Sequence, residues 1–186
     1  MPVTRCKRRL EVVMRAHADV SAFDHAGLAI LAGVAERIWH QNSGVSLVIR
    51  TDFAHPQEWT EIQSAIAEPQ TEDGFTAFVV FVDDRAYEGL TASRLLELVP
   101  ANAHHAVAFL VDTKTLTHPD RPILVVNLYD FVEGLDDQGK GPEYGATFRV
   151  VPSEMWSVQN NLTISNMDWE EFTGNLDGDG IFRGFE

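Results

Sequence analysis

Arg149-Val150-Val151-Pro152-Ser153-Glu154-Met155-Trp156-Ser157-Val158-Gln159-Asn160-Asn161-Leu162-Thr163-Ile164-Ser165-Asn166-Met167-Asp168-Trp169-Glu170-Glu171-Phe172 reads as the end of a strand, a helix and the start of a second helix. Pro152 suits a first helical turn, where its missing N–H is unpaired in any case. Ser165 with Asp168 three residues on resembles a capping box, and Gly174 is a stop. Trp156, Leu162, Trp169 and Phe172 are large apolar bodies that require a sheet to cover. The stretch therefore closes a core supplied by the strands before it.

Those strands are short and separated by punctuation. Val45 to Arg50 reads as the first, followed by a helix from Pro56 to Ala67 with Trp59, Ile62 and Ile66 on one face. Phe75 to Val82 is apolar at nearly every position, which predicts a covered central strand. A short helix from Thr91 to Leu98 leads to strands at Ala106 to Val111 and Ile123 to Tyr129, with a fifth at Thr147 to Val151. The first two links contain helices and are long enough for parallel crossovers. Asp112 to Pro122 carries two prolines and leaves little room for a packed helix, so an antiparallel turn is expected there. The Gly-rich 131–146 loop suits a second antiparallel pair. The expected fold is α/β: a mixed, mostly five-stranded sheet with helices on its faces, plus an N-terminal helical extension.

Residues 1–44 form that extension and 45–186 a single domain. The extension is basic at its start, and Leu28, Leu31, Ala35 and Ile38 share a helical face. Its ten-residue apolar run, Ala26 to Ala35, is too short to span a membrane and lacks the context of a secretion signal. The single cysteine, Cys6, permits no internal disulfide and fits a reducing, cytoplasmic setting.

Charge is distributed unevenly. Residues 1–44 hold six Lys or Arg against four Asp or Glu, and residues 45–186 hold eight against twenty-four, giving +2 and −16, which sum to −14. A body this acidic repels a phosphate backbone, which argues against nucleic acid. A basic protein is the complementary partner; solubility alone is the simpler reading of the same charge.

Two constellations could hold ions, although the sequence demands no cofactor. Asp52, Asp83, Asp84 and Asp112 each follow a predicted strand, and three parallel strands would bring them to one sheet edge. Oxygen ligands there suit Mg²⁺, with Lys114 near a phosphoryl oxygen. The alternative is that each aspartate caps the next helix or shapes a turn. Asp130 follows a strand of opposite direction and is excluded. Asn175, Asp177, Asp179, Gly180 and Glu186 occupy positions 1, 3, 5, 6 and 12 of an EF-hand-like Ca²⁺ loop, with Asn where Asp is usual and no exit helix. An Asp-Gly turn before a short strand, Ile181 to Phe185, explains the same residues. Trp156 with Asn160, Asn161 and Asn166 forms a candidate binding surface, the amides serving equally as helix caps. The histidines show no zinc spacing, and no nucleophile elbow is present.

Blocks of the chain carry a resemblance: Leu47 to Phe53, Phe81 to Asp84, Tyr87 to Thr91, Leu116 to Pro119, Leu124 to Leu128, Phe148 to Phe172 and Asp179 to Phe185. Over roughly residues 45 to 186 these resemble a family of bacterial proteins, mostly actinobacterial, known only as a domain of unknown function. The resemblance implies no activity. Two functional expectations therefore stand: a non-catalytic protein-binding module, regulatory or toxin-neutralising, for a basic partner; or a Mg²⁺-dependent phosphoryl- or ester-hydrolysing enzyme built on the strand-end aspartates.

Overall fold

Among the described residues, three parallel strands, one antiparallel strand and two further parallel strands make a single six-stranded sheet. In the computed structural model, residues 38–39, 44–70, 74–100, 103, 105–129 and 144–185 are described. The strands are β1 Ser46–Arg50, β2 Val79–Val82, β3 Val107–Val111, β4 Ile123–Asn127, β5 Thr147–Val150 and β6 Ile181–Phe182. Their order is β2-β1-β3-β4-β5-β6. β1 is parallel to β2 and β3, β4 is antiparallel to β3 and β5, and β6 is parallel to β5. All strands except β4 therefore point the same way, and their C-terminal ends share one rim.

β1 and β3 are buried at every residue because both faces of the sheet are covered. One core holds Val48, Val107, Phe109, Val111, Val125, Phe148 and Val150. It is covered by α1 (Pro56–Ala67), whose Trp59, Ile62 and Ile66 are buried, and by α4 (Met155–Thr163) and α5 (Trp169–Thr173). The alternate residues Leu47, Ile49, Ala108, Leu110 and Val126 face a second core. α2 (Ala92–Leu98) covers that side with Leu95, beside Tyr87 and Leu90. Trp39 also packs there, 4% exposed and edge-on to His105 at 5.3 Å. Apart from Ile38, Trp39 and Gly44, the predicted extension lies outside the described residues, as do His104, Asp130 and most of the 131–146 loop.

Several local readings change. The strongest apolar run is not central: β2 begins only at Val79 and forms an outer strand, with Val79, Val80 and Phe81 half-buried. Apolar content reflects burial from any direction, and here α4 and the Phe75–Phe78 segment supply part of it. The short strand read at Ile181 to Phe185 forms over Ile181–Phe182 and joins the sheet as a sixth member beside β5. The Asp112 to Pro122 link does accommodate a helix, the one-turn α3 (Thr113–Thr117), because a single turn with Asp112 as its cap suffices to bury Leu116. The capping box lies three residues beyond its predicted place: Asp168 is the N-cap, and its backbone N–H donates to the Glu171 carboxylate at 2.7 Å. Ser165 instead takes a left-handed φ of 54° between the helices. On α4 the buried residues are Met155, Ser157, Val158 and Gln159, and Trp156 is partly exposed.

Candidate functional site

The C-terminal rim of the sheet is where open α/β folds usually bind ligands, above all at the crevice where strand order reverses. That reversal falls between β1 and β3, since the β1–β2 link goes to one side and the next link returns across β1. Asp52 and Thr113 face each other over this crevice. The Thr113 hydroxyl donates to Asp52 Oδ2 at 2.5 Å, and the Ala54 N–H donates to Oδ1 at 2.7 Å. Partial burial alone would raise the Asp52 carboxyl, but these two bonds with the charges of His55 and Arg50 hold it below its ordinary value.

The structure brings the four predicted aspartates to one rim and gives each a different task. Asp83 accepts from Arg50 Nη1 at 3.2 Å and from the Trp59 indole at 3.1 Å, on the α1 side. Arg50 also stacks over Phe53, 4.4 Å from its ring centre, and Arg85 lies 5.0 Å from the same ring. Asp84 caps the 3-10 turn Arg85–Tyr87 by accepting from the Ala86 N–H. Asp112 caps α3, accepting from the Thr115 N–H at 2.9 Å, and pairs with both Arg149 nitrogens at 3.1 and 2.5 Å. Burial pushes Asp112 upward, yet the Arg149 and Thr115 contacts outweigh it and the carboxyl is lowered. Among the described residues, no three His, Cys, Asp or Glu side chains gather as a metal site would require.

The tail follows the same pattern. Asp177, Asp179 and Asp120 all accept from Arg183, at 2.6, 2.8 and 2.7 Å, so a guanidinium supplies the positive charge at their centre. Arg183 holds Asp179 down to about 2. Asn175 donates to the Glu171 carbonyl, and Gly180 makes the turn at φ 78°. Glu186 lies outside the described residues. An open groove of about 610 Å³ runs beside Arg183, lined by Glu68, Pro119, Arg121 and Pro152, but Arg121 is itself paired with Glu61.

Of the amides, Asn160 donates to the Thr76 carbonyl at 3.3 Å, while Asn166 donates to Asn161 at 2.7 Å and Asn161 to the Ser157 carbonyl. Asn160 thus ties α4 to the segment before β2, and the other two finish the helix end. Trp156 stacks on Phe75 with ring centres 5.5 Å apart and planes 18° from parallel. Sequence reasoning missed the partners: Arg50, Trp59, Arg149 and Gln159. An arginine in the strand Phe148-Arg149-Val150 was the available signal, because a charge entering a sheet needs a counter-charge. Gln159 is fully buried, accepting from the Phe78 N–H at 2.9 Å and donating to Thr163 at 3.1 Å.

A family model described as a domain of unknown function (DUF6924) matches residues 45–185, and the chain belongs to that family. No curated protein matches the chain. No described helix is long and apolar enough to cross a membrane.

Proposed function

We propose that the domain is a non-catalytic binding module for a basic protein partner, of the regulatory or toxin-neutralising kind. The observation that carries this reading is how the arginines are used. Arg50, Arg85, Arg94, Arg121, Arg149 and Arg183 are each paired with a carboxylate of their own chain. The surplus left on residues 45–186 is acid, which steers a basic surface and repels an anionic one. The lone Cys6 supports a cytoplasmic setting.

Hydrolysis assisted by Mg²⁺ has less support, because the rim carboxylates are engaged with separate partners rather than converging. Melting the protein with EDTA and then with added Mg²⁺ or Ca²⁺ separates the readings. The binding module keeps its midpoint, whereas a resident ion at about a hundredfold its Kd adds about 2.7 kcal/mol. The direct test is retention of a partner on the immobilised protein at about 0.05 M and about 0.5 M salt, then reassembly from purified components. A basic partner in a one-to-one complex, associating at least about tenfold faster at low salt, is the expected result. A partner that is acidic, or association indifferent to salt, overturns the reading.

A further inference from the structure

Helices cover the two faces of the sheet unequally. α1, α4 and α5, of 12, 9 and 5 residues, lie on the first core. On the second, among the described residues, the one helix longer than a turn is α2, with 7 residues. It leans toward β5: a side chain at Gly145, just before that strand, would meet Leu96 at 2.5 Å. Tyr87 and Leu90 close the rim end of β1, where the Gly89 N–H donates to the Thr51 carbonyl at 2.8 Å. Yet Leu47 and Ile49 of β1 are fully buried on this face, and Val80 of β2 packs into the same core. An apolar face is buried only where another layer lies on it, so β1 and β2 need further cover here.

The chain itself begins to supply it. Ile38 and Trp39 are helical, and both pack into the second core. Trp39 stands edge-on to His105, whose Nδ1 lies 2.8 Å from the Val45 carbonyl oxygen. The pair therefore sits at the N-terminal edge of β1 and β3. In the sequence Ile38 is the last member of an apolar helical face formed with Leu28, Leu31 and Ala35, and its contact with the core fixes the phase of that face. Ten residues of helix from Ile38 back to Leu28 rise about 15 Å, close to the roughly 17 Å length of a five-residue strand such as β1. Charge favours the same approach, since residues 1–44 are net +2 and residues 45–186 net −16. We propose that residues 28–37 continue the Ile38–Trp39 helix across the second face, on the β1–β2 side of α2, with Leu28, Leu31 and Ala35 turned to the sheet. The segment ahead of the family-matched residues 45–185 is then a layer of the domain rather than an appendage to it.

The full chain is the material for the test. Amide hydrogen exchange should find residues 29–37 protected; amides exchanging there as in a free peptide overturn the inference. Leu31→Asp should lower Tm by about 6 °C or more, whereas Ala29→Asp, on the far side of the same turn, should lower it by about 2 °C or less. Leu31→Ala should cost about 4 °C and keeps the comparison readable if the charged variant does not fold. Equal shifts at positions 29 and 31, or no shift from either Leu31 variant, overturn the proposed phase and with it the cover. Sedimentation reads the occupant. A monomer with the segment protected is expected. A dimer that Leu31→Asp dissociates would give the face to the segment of a second copy and overturn the intramolecular cover.

Discussion

The two outer strands of the sheet are finished in opposite ways. β6 is two residues long, and both are buried. Phe182 packs edge-on against Phe172 at 5.2 Å and against Phe185 at 4.9 Å, and Arg183 beyond it gathers three aspartates. β2 is longer, half-buried and free of charge. A sheet edge can be closed by shortness and local side chains, as at β6, whereas among the described residues no strand pairs with the outer side of β2. The difference teaches that aromatic packing finishes the β6 side, whereas the β2 side ends on an uncharged strand.

Phe172→Ala should break the closed side most severely. The ring is fully buried between Phe148 and Phe182, so a loss of about 3–5 kcal/mol is expected in urea denaturation. Next comes Arg149→Met, which leaves Asp112 partly buried without its cation, at about 1–3 kcal/mol near neutral pH. Because the folded Asp112 carboxyl is depressed, the pairing stabilises above its ordinary value of 3.8 and fades as pH falls through the lower folded value. The gap between wild type and Arg149→Met should therefore close on acidification; a gap constant with pH would assign the loss to packing instead.

The open side should tolerate what the closed side does not. Val79→Pro is expected to lower stability by about 1 kcal/mol or less, against about 3 kcal/mol or more for Val48→Pro in the neighbouring β1. Similar losses at both would mean that Val79 donates to a partner and that the edge is not open. Phe78→Ser should stay within about 0.5 kcal/mol in a thermal melt. The smallest effect concerns Glu154, whose carboxyl burial raises above its ordinary 4.5, packed beneath Gly184. Its charged form opposes folding as pH rises, so Glu154→Gln should slightly raise Tm at neutral pH and leave it unchanged below 4.5.

The sequence by itself determined the α/β class, the helix at Pro56–Ala67, the parallel pairing of the first three strands and the antiparallel placement of Ile123–Asn127. Each follows from local signals: apolar period, β-branched runs, and links long enough for a parallel crossover or too short for one. It also placed Asp52, Asp83, Asp84 and Asp112 on one rim, because strand ends in a parallel sheet coincide. Only the tertiary structure decided what those carboxylates do. Arg50 and Arg149 reach Asp83 and Asp112 from thirty-three and thirty-seven residues away, and such pairings leave no mark on spacing. The tertiary structure likewise put the most apolar strand at the edge, since hydrophobicity specifies burial but not which neighbour provides it.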